Sequence, residues 1–319
     1  MSEFVAWLDQ KSAAQVSKVG GKASSLARLA QAGFPVPPGF AVTAFGYQHF
    51  HASSGLNPLI EPFAGLDARP AIAAVNEAAA SLGARLAEAQ IPSDLADAVR
   101  SSFAELKARA GEGDTFAVRS SAVSEDSTKA SFAGLYESYL NLASADEVLE
   151  SLMLCYKSLW EPRAIQYRAI KGVPNEGEAM AVVVMATILS ASSGVAFSLN
   201  PMTGADDEVT INSTWGLGEA VVSGIVTPDT FTVGKDGTPR AREISEKHIR
   251  VVPTTGGTAR EDTPSDIALK SSLTEEQVTT VVNATVAVEG LYGTKVDIEF
   301  AFNGEGKFFL LQARPVTTH

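Results

Sequence analysis

The sequence predicts a mixed fold of helices and strands, of the α/β (α+β) class. Segments with apolar residues every three or four positions, typical of helices, are interspersed with alternating or continuous apolar runs, typical of strands. The 319 residues are 45% hydrophobic and 19% charged, which is enough apolar material for a sizeable core. At roughly 100–200 residues per domain, this length fits either two lobes or one large α/β unit.

Three segments define the first half of the chain. Residues 22–33 have an apolar face and are predicted to form a short helix directly after Gly20-Gly21. Residues 71–110 form two amphipathic helices that separate near residues 91–93. Phe116 begins a strand that leaves the sheet at Arg119 and is followed by a serine-rich loop.

The second half alternates strands with helices. Met180–Leu189 is a continuous, valine-rich apolar run, which favours a buried central strand. Ser272 and Glu275 match a capping box that opens a helix to about residue 291. Two closing strands, 296–301 and 308–312, are joined by a hairpin-like Asn-Gly turn. The remaining predicted elements are helices over 144–156 and 158–170 and strands over 195–199 and 208–212.

Charge and cysteine content narrow the functional classes. The net charge of −12 gives no general attraction to nucleic acid or to anionic lipid, so a polyanionic ligand would need a local cluster of cations. Cys155 is the single cysteine and cannot form an internal disulfide. Neither a basic leader nor a run of about 18 apolar residues is visible, so we expect a cytoplasmic protein.

Two segments of the first half could bind phosphate. Gly20-Gly21-Lys22 precedes a helix, where glycines permit close backbone approach and Lys22 supplies a mobile cation, although the spacing is not that of a Walker motif. A turn beside a surface lysine explains the same residues. Arg119, at the predicted strand end, could donate two hydrogen bonds to phosphate oxygens. The alternative is an ion pair with Glu125 or Asp126.

The two closing strands carry a second candidate. Strand alternation points Asp297 and Glu299 to one side, and likewise Gln312 and Arg314. The oxygens of Glu299 and Gln312 suit Mg²⁺, and Arg314 suits the phosphate beside it. The alternative is a cross-strand ion pair on a solvated face. The four histidines of the sequence lack the spacing of metal ligands.

Nine short segments, spread over nearly the whole chain, form a recognisable series. They begin at Val19-Gly-Gly-Lys, Pro35-Val-Pro-Pro-Gly, Ala117-Val-Arg-Ser-Ser, Ala130-Ser-Phe-Ala-Gly, Ser193-Gly-Val-Ala-Phe-Ser, Trp215-Gly-Leu-Gly-Glu, Val226-Thr-Pro-Asp, Asp297-Ile-Glu and Leu311-Gln-Ala-Arg-Pro. In order and spacing, these segments resemble the N-terminal nucleotide-binding domain of the family that contains phosphoenolpyruvate synthase, pyruvate phosphate dikinase and rifampicin phosphotransferase.

The resemblance implies an ATP-grasp fold, with one domain over 1–319 and approximate lobes 1–179 and 180–319. It implies that Lys22, Arg119 and Arg314 are the catalytic cations on the phosphates of ATP, and that Glu299 and Gln312 bind Mg²⁺. Gly134 belongs to a segment, 131–137, that resembles the family's lid over the triphosphate. Val183 stands where the family often has a glutamine in the strand that borders adenine, so base contacts are expected from backbone groups near Val184–Thr187, Met185 included. Leu135 stands in place of the glutamine that usually follows the lid glycine.

The family's reaction also needs a histidine. In this family a histidine attacks the β-phosphate of ATP, which releases AMP, and it lies in a Ser-His-Ala type motif of a separate swivelling domain. His49, His51, His248 and His319 do not lie in such a motif. We therefore expect a subunit whose partner carries the histidine and the acceptor site, as in phenylphosphate synthase and its alkylphenol-phosphorylating relatives. The alternatives are a fragment of a longer synthase or rifampicin phosphotransferase, a self-contained ATP-grasp ligase, and a non-catalytic nucleotide-binding module.

Overall fold

The computed structural model describes residues 3–63, 66, 71–110, 115–124, 138–175, 177–254 and 257–316. The chain divides into two compact units. The first consists of Met1–Gln31 and Pro38–Ala186, and the second of Ala32–Pro37 and Thr187–His319. The division follows Ala186, within the predicted strand Met180–Leu189, whereas the predicted lobes meet at the start of that segment.

A five-stranded antiparallel sheet lies at the centre of the first unit, in the order β1-β2-β5-β3-β4. Its strands are β1 Val5–Trp7, β2 Gly39–Val42, β3 Phe116–Ala122, β4 Ser138–Leu142 and β5 Met180–Ala186. The helices are α1 Val16–Gln31, α2 Ala44–Ser53, α3 Asn57–Ile60, α4 Ile72–Glu88, α5 Ser93–Ala110, α6 Ala145–Ser158 and α7 Pro162–Ile170. The helices predicted over 22–33 and 71–110 are therefore present.

The central strand β5 confirms the buried strand predicted from the apolar run, but it ends at Ala186, and Leu189 at the end of the predicted run is exposed. All seven of its residues are buried. Val182 and Val184 belong to the large apolar core of this unit, which also contains residues of α2 and of α4 to α7. Val183 and Met185 alternate to the other face, where α1 packs against β5 and β3. A strand covered on both faces needs apolar residues at every position, so it has no polar alternation.

The prediction that strand β3 ends at Arg119 is wrong. The strand continues to Ala122, and Ser120 and Ser121 pair with Val182 and Ala181 of β5. Both serines are fully buried. Two consecutive serines are typical of a loop, but here Ser121 has hydrogen-bond partners in α1, which lets the strand continue.

The second unit contains a six-stranded antiparallel sheet in the order β13-β12-β6-β7-β8-β9 and a separate hairpin of β10 and β11. Its strands are β6 Ser190–Phe197, β7 Glu208–Trp215, β8 Asp229–Gly234, β9 Pro239–Glu243, β10 Ile249–Thr254, β11 Gly257–Asp262, β12 Val296–Asn303 and β13 Phe308–Pro315. Its helices are α8 Glu219–Val222, α9 Ser265–Ala268 and α10 Glu275–Tyr292. Helix α10 packs against β12, β7, β13 and β6.

Helix α10 begins differently from the prediction. Its N-cap is Thr274, whose hydroxyl accepts a hydrogen bond from the main-chain N–H of Gln277, while the Gln277 side chain accepts from the Thr274 N–H. Ser272 does not cap the helix, because its N–H and hydroxyl both donate to Asp229 Oδ2 at 2.7 Å. That carboxylate also pairs with Lys247 at 2.6 Å, and both charged side chains are fully buried. The capping box was expected two residues too early.

Among the helices of the described residues, none combines the length and the apolar character that a membrane crossing requires.

Candidate functional site

The closing hairpin brings the predicted magnesium ligands together. In the register of β12 and β13, Glu299 lies directly opposite Gln312, and Asp297 lies directly opposite Arg314. Side chains at directly opposite positions have Cβ atoms about 5 Å apart. Gln312 is buried and Glu299 is half-buried. A carboxylate and an amide are thus adjacent on one face of the sheet.

Arg314 is held beside this pair by an ion pair. Its Nε lies 2.8 Å from Asp297 Oδ2 and 2.9 Å from Oδ1, and the exposed fractions of the two side chains are 30% and 12%. The cross-strand ion pair that the sequence left as an alternative is therefore present. It fixes the position of the guanidinium next to Glu299 and Gln312, so the pairing is compatible with a role in binding phosphate. Asp297 was not among the predicted site residues, although strand alternation already placed it on this side.

The neighbouring strands extend the same face. Val195 and Phe197 of β6 pair with Glu299 and Asp297, and Asn212 and Thr210 of β7 pair with those two β6 residues. Val195 and Phe197 are both half-buried. The carboxylates are thus bordered by apolar side chains and then by an amide and a hydroxyl. The sequence predicts a strand over 195–199, and alternation along it places Val195 and Phe197 on one face. That pattern could have added these two residues to the predicted site.

In the first unit, the glycine pair before Lys22 makes a close approach to the sheet. Gly20 has φ 73° and ψ 176°, a backbone conformation that interrupts α1. A Cβ atom on Gly20 would collide with the carbonyl oxygen of Ser121, so only glycine fits there. The ammonium of Lys22 then donates to the Ser120 carbonyl at 3.2 Å. A turn beside a surface lysine therefore does not fully explain these residues, because the Lys22 side chain is bound to strand β3.

Arg119 lies on the same strand. It is half-buried and pairs with Val183 of β5 and Ser138 of β4. Since Ser120 follows it in the sequence, the contact made by Lys22 lies one residue from Arg119. Two of the three predicted cations thus lie close together on the first unit. Glu125 and Asp126, the predicted alternative partners of Arg119, lie outside the described residues, and so does Gly134 with the rest of 131–137.

Val184 and Met185 lie in strand β5 with a neighbouring strand on each side. Val184 pairs with Phe40 and Val118, and Met185 pairs with Gly39 and Ala117. Their side chains are 0% and 3% exposed. The next residue, Ala186, donates its N–H to Pro38 O at 2.9 Å. Any contact between this segment and a base must therefore come from groups near the end of β5. The role of Val184 and Met185 in binding the base stays a prediction.

The glycine-containing loop after β7 is explained by structural contacts. Gly216 has φ 77°, and a Cβ atom there would meet the Val251 carbonyl oxygen. Glu219 accepts a hydrogen bond from the Thr258 hydroxyl at 3.0 Å. Within the described residues, no three His, Cys, Asp or Glu side chains form a group that could hold a metal ion. A site at Glu299 and Gln312 would therefore need ligands from the nucleotide and from water.

Comparisons with known proteins identify the family of this chain. The family described as "Pyruvate phosphate dikinase, AMP/ATP-binding domain" matches residues 16–319. A probable phosphoenolpyruvate synthase of Methanocaldococcus jannaschii is 40% identical over 99% of this chain and 27% of its own length. A probable phosphoenolpyruvate synthase of Methanothermobacter thermautotrophicus is 36% identical over 100% of this chain and 46% of its own. The phosphoenolpyruvate synthase of Escherichia coli is 37% identical over 99% and 42%.

The chain belongs to the pyruvate phosphate dikinase AMP/ATP-binding domain family. It spans between about a quarter and a half of the length of these curated relatives. The mixed α and β fold class predicted from the sequence is confirmed, and so is the family from which the ATP-grasp fold was inferred. An L-amino acid ligase structure from Bacillus licheniformis overlaps 68% of this chain and 41% of its own, but its TM-score of 0.24 at 9% identity carries no argument.

Proposed function

We propose that this chain binds ATP with Mg²⁺ and transfers the β- and γ-phosphoryl groups to a histidine on a partner domain or subunit. Attack on the β-phosphorus breaks its bond to the oxygen that bridges the α- and β-phosphates, so AMP leaves. The final acceptor is a small molecule. The observation that carries the proposal is the register that sets Glu299 opposite Gln312 and Asp297 opposite Arg314.

The donor set at this position fits magnesium. Mg²⁺ prefers oxygen ligands and is usually held by one or two carboxylates together with phosphate oxygens and water. Glu299 offers a half-buried carboxylate, and Gln312 offers an amide oxygen directly opposite it. When bound there, the ion neutralises charge on the transferring phosphoryl groups. Glu299 and Gln312 would hold the ion, and Asp297 fixes Arg314 at the neighbouring position of the same two strands.

Three cations supply the remaining charge stabilisation. In phosphoryl transfer the protein mainly positions the reactants and stabilises negative charge, so fixed cations matter more than mobile ones. Lys22 is fixed by the Ser120 carbonyl and Arg314 by Asp297, while the backbone of Arg119 is paired within the sheet next to Ser120. We assign all three to the phosphates of ATP. Gly134 is assigned to the lid, and Val184 and Met185 to the strand that borders the base.

The acceptor has two candidates. The sequence resembles split systems that phosphorylate phenols or alkylphenols, in which a separate subunit carries the histidine. The curated relatives are named as phosphoenolpyruvate synthases, which favours a phosphoenolpyruvate-forming reaction with pyruvate as the acceptor. Both candidates share the step at this chain, since either acceptor takes its phosphoryl group from the histidine.

Label transfer tests the shared step. The chain is incubated with Mg²⁺ and ATP labelled in the β- or the γ-phosphate, together with the partner polypeptide that carries a Ser-His-Ala motif. We expect both labels to reach the partner's histidine. The γ-phosphoryl group then leaves, as orthophosphate if water accepts it or as pyrophosphate if phosphate accepts it, and the β-label passes from the histidine to pyruvate or to phenol, whichever is the acceptor. A γ-label that reaches the partner without the β-label would contradict the proposal, as would labelling that persists after the histidine is replaced.

A further inference from the structure

The contacts of Ser121 join strand β3 to the segment that carries Lys22. The Ser121 hydroxyl donates to Val19 O at 2.8 Å and accepts from the N–H of Ala23 at 3.1 Å. Ser121 is fully buried and lies about a hundred residues from both partners in the sequence. One side chain thus bridges the residues on either side of Gly20-Gly21-Lys22.

The bridge acts where the backbone of α1 is interrupted. At Gly20 the chain has φ 73°, and the next residues start the regular helix. The first N–H groups of a helix have no partner within the helix, so Ser121 supplies an acceptor to the N–H of Ala23 from a different element. Its second bond fixes Val19, the last residue before the interruption. The two bonds together determine the direction in which the helix leaves the glycine pair.

That direction decides where the ammonium of Lys22 lies. Lys22 directly precedes Ala23, and its Nζ donates to the carbonyl of Ser120, the neighbour of Ser121. The lysine is therefore held at its backbone by Ser121 and at its end by the main chain of the same strand. A long, flexible side chain needs such fixation if its charge is to act at one place.

We propose that Ser121 is a positioning residue, which acts on ATP through Lys22. The inference rests on the proposed function, because it requires that Lys22 contacts the phosphates. It assigns no contact between Ser121 and the nucleotide. Loss of the hydroxyl should weaken ATP binding about tenfold, the effect of misplacing one hydrogen bond to a charged group.

A double-mutant cycle measured by calorimetry tests this role. The Kd for ATP at a fixed excess of MgCl₂ is determined for the wild type, Ser121→Ala, Lys22→Met and the double variant. We expect each single variant to bind about tenfold more weakly and the double variant to bind no more weakly than Lys22→Met. A purely structural serine would give additive losses, which would overturn the inference. So would a Ser121→Ala variant with wild-type affinity.

Two additions separate this result from other failures. Ser158→Ala is the matched control, since Ser158 is a buried serine of the same unit that donates to Cys155 O at 2.8 Å; we expect unchanged affinity. If Ser121→Ala does not fold, Ser121→Cys replaces it in the same cycle, because the thiol is a weaker donor and acceptor in the same place. A wild type that does not bind ATP, or a Lys22→Met variant that binds normally, would refute the proposed function itself.

Discussion

Acidification should destabilise the first unit through His51. This side chain is 3% exposed and lies among the rings of Tyr47, Phe50 and Trp160 at centroid distances of 4.2, 5.6 and 6.3 Å. In the described part of the chain neither ring nitrogen has a hydrogen-bond partner. Burial without a partner penalises the charged form, which lowers the pKa of His51 from 6.5 to about 4.

The sign and size follow from proton linkage. Between pH 6.5 and about 4 the unfolded chain binds a proton at His51 that the folded chain does not bind. Stability is therefore fully present above pH 6.5 and falls as the pH drops through this window. At about 1.4 kcal/mol per pH unit and with partial titration at the upper end, the loss from pH 8 to pH 5 is about 2 kcal/mol.

Urea unfolding at pH 8 and pH 5 measures this loss. Because other groups also titrate, the quantity of interest is the difference between the wild type and His51→Phe, which keeps an aromatic ring in the cluster. We expect the variant to lose about 2 kcal/mol less than the wild type over this range. His248→Asn is the control, since the side chain of His248 is 72% exposed. Equal losses in the wild type and His51→Phe would show that His51 does not cause the acid destabilisation.

Three further predictions concern the second unit. Glu299→Ala should abolish AMP formation and raise the Mg²⁺ concentration required for ATP binding, whereas Glu305→Ala, in the hairpin turn of the same strands, should leave both unchanged. Nucleotide analysis and calorimetry measure the two effects. An equal effect of the two variants would exclude a magnesium site at Glu299. Arg314→Ala should abolish AMP formation. It should also lower the free energy of unfolding by about 1–3 kcal/mol, because the buried Asp297 loses this ion pair. An unchanged midpoint of urea unfolding would contradict the predicted loss of stability. Thr274→Ala should cost about 1 kcal/mol in the same assay through loss of the cap of α10, and no loss would show that the cap is unimportant.

Local patterns predicted the elements whose determinants lie within a few residues. The helices over 72–88 and 93–110, the buried strand β5 and the closing hairpin all follow from apolar spacing and turn residues. The same logic placed Glu299 and Gln312 on one side of their strands. The structure shows in addition that they lie directly opposite each other. This pairing depends on the register of the two strands, which is set by the position of the hairpin turn.

The errors came from contacts between distant segments. Ser272 resembles an N-cap, but Asp229, 43 residues away, takes its N–H and hydroxyl. Ser121 resembles a loop residue, but a helix about 100 residues earlier supplies its partners. In both cases the polar group is satisfied by a partner that no local pattern reveals. The ion pair of Arg314 with Asp297 likewise stayed one of two alternatives until the register was known.

Nucleotide analysis of a single reaction shows whether this chain supplies the β- and γ-phosphoryl groups of ATP to a partner's histidine. The chain is incubated with ATP, Mg²⁺ and the histidine-bearing partner, and the nucleotide products are separated by chromatography. We expect AMP, formed only when the partner retains its histidine and lost in Glu299→Ala. ADP as the product, or AMP that forms without the partner's histidine, would contradict it.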